Sequence, residues 1–332
     1  MIECLLGYSV TSGNFSSLEG MDNQYVTRIL CYNILGGGTH RVDQLTKLIG
    51  SAHPDIVGLV EATDPQVIEE LAQRLGMQFS VNGQADSEKR THLAVLSRLP
   101  IVQVQTHSHP DIFTRKDILE VCVEEPGERQ LTLFVVHLTS RFHKGRQSNL
   151  IRRGEVQEIL RIMADKQGMQ HALIGDFNSV APGEPVRGSS LLRSLLQLDQ
   201  LHKEKPALFV PYANLSIVRS FRRHIFLRKI LQTIVRSKVL SALVDTMSSV
   251  YAQGGIDLLF KAGYIDCFRQ VNPHSLGFTY PASAPIGRVD FIFASPELAR
   301  RLSNCNIVTE GKGISEAEAS DHLPVCAEFA DA

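Results

Sequence analysis

The sequence predicts an α/β protein, a four-layer α/β sandwich of two packed mixed β-sheets flanked by helices. Three observations carry this expectation. Apolar runs of strand length recur from Arg28 to Phe329, and helix-period segments separate only some of them. In the middle of the chain strand follows strand across tight polar loops. With 332 residues, 43% apolar and 21% charged, the chain can bury a large core. Its 34 Lys+Arg against 35 Asp+Glu give a net charge of −1, which excludes a surface that is basic all over. No apolar run reaches the roughly 18 residues that span a bilayer. The opening MIECLLGYSV lacks the basic start of a secretory signal. Six scattered Cys without a CxxC pair fit reduced, buried thiols in a cytoplasmic protein.

Residues 1–22, rich in Ser, Gly and Asn, read as a flexible leader with Met21 as an alternative start, and 23–332 as one domain. ILCYNIL (29–35) is a buried strand closed by Gly36, Gly37 and Gly38, a flexible turn. Val42, Leu45, Leu48 and Ile49 then fall at helical spacing. PDIVGLVEA (54–62) is a second strand. Asp64-Pro65 starts a helix with Ile68, Leu71, Ala72 and Leu75 inward. Strands follow at MQFSV (77–81), THLAVLSRLPI (91–101), IVQVQTH (101–107), ILEVCVE (118–124) and QLTLFVVHL (130–138). A basic helix over about 145–167 turns Val156, Ile159, Leu160 and Met163 inward. Then come HALIGDFN (171–178), VDFIFAS (289–295), a short helix begun by Ser295-Pro296, NIVTE (306–310) and LPVCAEF (323–329). There are no internal repeats.

The segment at about 199–255 stands apart. From Lys203 to Lys238 there are nine basic residues and one acid, Glu204, a local net of +8 that leaves −9 on the rest. Residues 217–250 favour helix without one clean apolar stripe. The simplest reading is an inserted helical pair, partly packed on the body with a solvated basic face. A basic docking surface for a phosphate-rich substrate or a peripheral anionic-lipid contact is the sharper alternative, and a membrane-inserting element a third.

Polar residues recur where strands end. Asn33 interrupts the first strand near its end, Glu61 terminates the second, and His137 ends LTLFVV. Asp176 and Asn178 follow ALIG, Asp290 interrupts VDFIF, and Asp321-His322 precede the last strand. Polar groups at buried strands are costly unless hydrogen bonds, metal or function satisfy them. Each alone reads as a structural hydrogen-bonder. Together, if the strand ends share one rim, they line a carboxylate-rich cleft. Glu61, Asp321, Asn33 and the Asp176/Asn178 pair offer oxygens and no thiolate, which favours Mg²⁺ or Mn²⁺ over Zn²⁺. A neighbouring Asp and His suit an imidazole that takes a proton from water. Metal-assisted phosphoester hydrolysis uses all these parts.

CYNILGGG, DIVGLVEA, FVVHL, IGDFNS, GFTYP, RVDFIFAS and SDHLPV together resemble the endonuclease/exonuclease/phosphatase superfamily. Its members include deoxyribonuclease-I-like nucleases, AP endonucleases, sphingomyelinases, inositol-polyphosphate phosphatases and deadenylases. The resemblance covers about 28–198 and 256–330 and is sharpest at GDFN and SDHLPV. It implies the four-layer sandwich, with Glu61 as main metal ligand, helped by Asn33 and Asp321. It implies that Asp176 holds or activates the attacking water and Asn178 donates to a phosphate oxygen. His322, braced by Asp290, contacts the phosphate or acts as base; His137 contacts the phosphate or protonates the leaving group; Thr279 supports the site. Arg146, Arg152 and Arg153 read as surface charges, with phosphate steering by Arg146 the sharper alternative.

The chain departs from the pattern in places. Thr91 and His92 stand where deoxyribonuclease-like enzymes carry a Glu that pairs with the active-site His. Val60 replaces a Gln before the metal Glu, and the chain has no Trp, which argues against abasic-site repair. His107-Ser-His109 reads as solvent-facing, and no GxSxG elbow supports a serine hydrolase. The resulting expectation is a Mg²⁺/Mn²⁺-dependent phosphodiesterase acting on nucleic acid or a small or lipid phosphodiester. The alternatives are a phosphomonoesterase and a catalytically silent binding module.

Overall fold

Strands that are apolar on both faces need cover on both, and two sheets packed face to face with helices outside supply it. The computed structural model describes residues 25–81, 93–108, 117–140, 147–190, 192–193, 196, 225–309 and 316–331. The leader, Thr91, His92, His109, Arg146 and the basic stretch before Ile225 lie outside the described residues.

The first sheet contains β1 (Val26–Asn33), β2 (Ile56–Val60), β3 (Gln78–Val81), β4 (Leu93–Ser97), β11 (Leu302–Ile307) and β12 (Val325–Ala330), in the order β11-β12-β1-β2-β4-β3. The second contains β5 (Ile101–His107), β6 (Ile118–Glu125), β7 (Arg129–His137), β8 (His171–Asp176), β9 (Ile265–Asp266) and β10 (Asp290–Ala294), in the order β5-β6-β7-β8-β10-β9. Each sheet has one parallel pair among antiparallel neighbours, β1/β2 in the first and β7/β8 in the second. A parallel pair needs a crossover. Helices α1 (Val42–Ser51) and α3 (Gln147–Met163) lie in those two connections.

Three apolar clusters define the layers. Cys31, Val95, Val121, Leu133, Ile174 and Ile292 fill the space between the sheets. Leu30, Leu59, Leu45 and Ile49 pack the first sheet against α1 and α2 (Pro65–Leu75). Phe134, Leu173 and Phe291 pack the second against Val156 and Ile159 of α3 and Ile256 of α6 (Ile256–Lys261). Helix α2 begins as the sequence predicts, with Asp64 Oδ1 accepting from the Gln66 N–H at 3.1 Å ahead of Pro65.

Several elements differ from expectation for local reasons. The strand expected over 91–101 ends early, at Ser97, because Ser97 Oγ turns back to Leu99, accepting from its N–H at 3.0 Å, and Pro100 lacks a ladder donor; β5 starts at Ile101 as expected. The strand expected at 306–310 is instead β11, which begins at Leu302. Its LSNCNI pattern is mostly exposed and irregular in register between Leu302 and Asn304, so it shows no apolar alternation. His107, expected in solvent, lies 2.7 Å from Glu120 Oε2, and Lys166 holds the other Glu120 oxygen at 2.8 Å. The chain from Ile225 forms α4 (Ile225–Arg236) and α5 (Lys238–Tyr251), separated at Ser237, whose Oγ caps α5 by accepting from the Leu240 N–H. Short helices α6, α7 (Cys267–Val271), α8 (Pro296–Ala299) and α9 (Glu316–Ala319) complete the described fold. No described helix is long and apolar enough to cross a membrane.

Candidate active site

Parallel strands β1, β2, β7 and β8 end at one rim, and antiparallel β10 and β12 begin there. Asp290, the first residue of β10, therefore lies opposite Asp176, the last of β8, which is also in register with His137. The topology thus gathers polar residues from positions scattered along the whole chain.

Asp176, 2% exposed, is the hub. Its Oδ1 accepts from the Asn178 N–H (2.7 Å), and its Oδ2 accepts from Asn178 Nδ2 (3.1 Å) and Asn33 Nδ2 (3.2 Å). His137 Nε2 lies 3.6 Å and His322 Nε2 3.9 Å from the same Oδ2. Gly175, just before it, has φ 152°, and a Cβ there would lie 1.9 Å from the Val136 carbonyl oxygen. Only glycine can therefore bring Asp176 this close to β7.

Glu61 follows β2 with a left-handed φ of 60°, and Asn178 has φ 50°. Such backbone costs on the order of 1 kcal/mol or more, less for Asn than for Glu. The 3₁₀ turn Gly36–Gly38, read from sequence as a flexible turn, holds Glu61 there. The Gly36 N–H donates to Glu61 Oε2 (2.7 Å), and the Gly37 N–H donates to the Glu61 carbonyl (2.8 Å). Asn33 Nδ2 reaches Glu61 Oε1 at 3.4 Å, while Asn33 Oδ1 accepts from the Leu35 N–H, so Asn33 aligns the two carboxylates.

On the other flank, His322 Nδ1 lies 2.9 Å from Asp290 Oδ2. The Tyr280 ring packs on the imidazole at 4.7 Å between centroids. Thr279 Oγ1 accepts from the Val289 N–H (3.1 Å) and the Asp290 N–H (3.2 Å), and its carbonyl accepts from the Leu323 N–H (2.8 Å). Ser320 Oγ donates to the Asn33 carbonyl (2.6 Å), joining this loop to β1. Burial opposes a charge on His322, but Asp290 first, then Asp176 and Asp321, outweigh it and push its pKa up to about 10.

The site also fits a hard divalent cation. Asp290 Oδ1 and Asp321 Oδ1 are buried atoms without a hydrogen-bond partner among the described residues. Burial raises the Asp321 carboxyl; His322 opposes this, and Glu61 and Asp290 add to it. A cation satisfies such oxygens, and the donors around them include no thiolate. Among the described residues, Asp176, Asp290 and His322 also place ligand atoms within 4.8 Å of one another.

Residues 30–322 match the model of the Endonuclease/Exonuclease/phosphatase family. The chain belongs to this family. The protein is accordingly a phosphoester hydrolase by class, built on the family's sandwich. No curated protein matches the sequence significantly. Solved structures share the fold at low identity. An AP endonuclease from Archaeoglobus fulgidus is 15% identical with a TM-score of 0.59, over 91% of this chain and 99% of the other. The 3′ phosphatase NExo from Neisseria, bound to a product DNA hairpin, is 18% identical with a TM-score of 0.56, over 91% and 99%. TDP2 from D. rerio, complexed with a single-strand DNA product, is 15% identical with a TM-score of 0.55, over 92% and 98%.

In this family member the rim brings together Asn33, Glu61, His137, Asp176, Asn178, Thr279, Asp290, Asp321 and His322, while Arg146 lies outside the described residues. One sequence expectation is corrected. Arg152, read as a surface charge, is fully buried. Its Nη1 donates to the Thr139 carbonyl (2.9 Å), and Glu155 accepts from the Thr139 N–H (3.0 Å), so α3 grips the turn after His137. Its buried face is polar because it holds backbone there. Arg153 does lie nearer the surface, paired with Asp257 at 2.8 Å. Sequence reasoning also missed Gly36, Tyr280 and Ser320, although each stands inside a motif it quoted. It missed Arg41, which donates to the Leu35 and Ala319 carbonyls and so ties the glycine turn to α9. No local pattern announces Arg41.

Proposed function

We propose that the protein is a Mg²⁺- or Mn²⁺-dependent phosphodiesterase that hydrolyses its substrate with water at this rim. The observation that carries the reading is the convergence of Asn33, His137, Asn178 and His322 on Asp176 Oδ2. Glu61 and Asp321, with Asn33, would hold the ion. When bound, it supplies positive charge for the phosphoryl oxygens and acidifies water. Asp176 would orient the attacking water, since its amide partners fix both its oxygens. Asn178 would donate to a phosphoryl oxygen by exchanging the Leu138 carbonyl that its Nδ2 now reaches at 3.1 Å, and His322, braced by Asp290, would face the phosphate. His137, across Asp176 Oδ2 from His322, would protonate the departing oxygen, a step that an ester leaving group needs.

The reading takes the chain as one catalytic domain over 23–332 with an insertion at about 199–255. A nucleic-acid substrate is favoured by two structural neighbours, one holding a product DNA hairpin and the other a single-strand DNA product. The described cysteines, free and buried, fit a reducing, cytoplasmic setting. A second reading, phosphomonoester hydrolysis, is favoured by the Neisseria neighbour being a 3′ phosphatase.

The test is hydrolysis of bis-p-nitrophenyl phosphate, p-nitrophenyl phosphate and single-stranded DNA with Mg²⁺, Mn²⁺ or chelator, with Glu61→Ala as control. Metal-dependent diester cleavage lost in the variant is the expected result. Monoester cleavage alone would replace the reading with the second, and no turnover on any of the three would overturn both. Within active protein, Asn178→Ala should cost about 10²–10³ in kcat, and His322→Ala about 10²–10⁴. On DNA, KM should rise steeply with salt as phosphate contacts release counterions.

A further inference from the structure

The α4–α5 hairpin takes no part in the site, yet its exposed surface has a composition of its own. One face of α5 is fastened to the body. Asp245 accepts from the Ser189 N–H (2.7 Å) and hydroxyl (3.0 Å), and Ser249 Oγ accepts from the Val186 N–H (2.8 Å). Gly188 runs beneath the same face, where a Cβ would lie 2.3 Å from Ser248 Oγ. These contacts fix the rotation of the helix about its axis. At 3.6 residues per turn, the opposite face is Val239, Leu243, Met247 and Val250. All four point outward, 77%, 55%, 48% and 62% exposed.

The hairpin that carries this apolar stripe also exposes cations. Lys229 and Arg236 of α4 and Lys238 at the start of α5 are exposed, and so is Ile230. Asp245 is the hairpin's only acid, and it is spent on the fastened face. Among its described residues the hairpin therefore exposes a row of aliphatic side chains on α5 together with cations on both helices, and its one acid is turned to the body. A nucleic acid would match the cations but leave the aliphatic row against water. An anionic bilayer matches both, because its headgroups attract the cations and its acyl boundary accepts the stripe.

We propose that the outward face of α4–α5 docks the protein on the surface of an anionic lipid membrane. The hairpin lies on the surface and does not cross it. It also stands next to the chemistry in the fold. α5 runs into Ala252, whose carbonyl accepts from the Val180 N–H at 3.0 Å, two residues beyond Asn178. Docking there brings the bilayer to the catalytic body without using any residue of the site.

The test is co-sedimentation of the full chain with phosphatidylcholine vesicles containing phosphatidylglycerol, against pure phosphatidylcholine vesicles. The protein should pellet with the anionic vesicles at least tenfold more strongly. Leu243→Glu with Val250→Glu should weaken that partition at least tenfold, as each removes an aliphatic contact. Lys229→Glu with Arg236→Glu and Lys238→Glu should do the same, since one cation near such a surface changes partition roughly fivefold. Both sets sit on exposed positions, and far-ultraviolet circular dichroism and small-diester hydrolysis should match wild type. Failure to pellet with anionic vesicles would overturn the proposal, as would pelleting that survives both sets of changes. Two further results would overturn it by naming another occupant. One is a dimer in light scattering that Leu243→Glu turns into a monomer. The other is oligonucleotide binding, without vesicle binding, that only the charge reversals abolish.

Discussion

Thr279→Val isolates what the loop before β10 does for the His322–Asp290 pair. Valine nearly matches threonine in volume, so no cavity opens, but a methyl that accepts no hydrogen bond replaces the hydroxyl. In the fold Thr279 Oγ1 accepts from the Val289 N–H at 3.1 Å and the Asp290 N–H at 3.2 Å, at a fully buried side chain. A buried donor left without its acceptor costs about 1–3 kcal/mol. The Asp290 bond is buried and counts near the middle of that range, while the Val289 bond is part-buried and counts at its low end. The expected loss is about 2–3 kcal/mol, read as a drop of roughly 1 M in the urea midpoint with unchanged m. The same donors anchor the start of β10, so Asp290 loosens behind His322. A catalytic group displaced by a fraction of an ångström justifies a fall of roughly tenfold in kcat with KM nearly constant. Thr279→Ser keeps the oxygen and should restore kcat. The reasoning is refuted if Thr279→Val stays within about 0.5 kcal/mol of wild type, or if Ser loses as much kcat as Val.

Further outcomes follow from other buried polar groups. Mg²⁺ or Mn²⁺ at a hundredfold excess over its Kd should stabilise the fold by about 2.7 kcal/mol. Asp321→Asn should remove that gain while raising the metal-free Tm, since it discharges a carboxyl that burial, Glu61 and Asp290 all push up; thermal unfolding checks both. His171 is buried, with its pKa lowered by burial, and its ring nitrogens face the Met169 carbonyl (3.0 Å) and Tyr264 hydroxyl (2.8 Å). The unfolded chain therefore takes up this proton first, so the stability is present in full above about pH 6.5 and lost as pH falls. Urea titrations between about pH 7 and 5 should show that slope, and His171→Gln should flatten it. Arg152→Met should cost roughly 2–4 kcal/mol by leaving the Thr139 carbonyl and Asn149 Oδ1 without this donor. A variant as stable as wild type in urea would show that water replaces the guanidinium there.

The sandwich was legible because its strands are apolar and its caps are local. Asp64 before Pro65 and Ser295 before Pro296 each do what their spacing announces. Elements failed where burial did not write a pattern. β11 is an exposed edge, and Arg152 is buried on a helix face that grips backbone instead of hydrocarbon. The site was legible as a set of residue types at strand ends. Its geometry was not, because its bonds span the chain: Asn33 to Asp176 over 143 residues and Ser320 to Asn33 over 287. The glycine turn marks the boundary between the two cases. Three successive glycines announce a turn, but nothing local says that its N–H groups close on Glu61.

The rim is asymmetric in charge, and the asymmetry bears on how it receives a phosphate ester. Asp290 is answered by His322, and Asp176 by the amides of Asn178 and Asn33. Glu61 has the Gly36 N–H, whereas Asp321 keeps a buried oxygen without a donor among the described residues. Negative charge therefore collects on the Glu61–Asp321 flank, whereas the other flank carries the His322 cation beside Asp290, whose Oδ1 also lacks a donor among the described residues. An anionic diester meets attraction at His322 and repulsion at the other flank. A divalent cation held by Glu61 and Asp321 would reverse the second, while Asp290 and Asp176, which act on His322 more strongly than Asp321 does, would keep the first. Asp176 joins the two flanks, linked to Glu61 through Asn33 and 3.9 Å from His322 Nε2. A phosphoryl group drawn to both flanks at once must then lie across Asp176. On the proposed reading an oriented water would attack it there, and a carboxylate at the centre needs its amide partners to keep it from turning to either side.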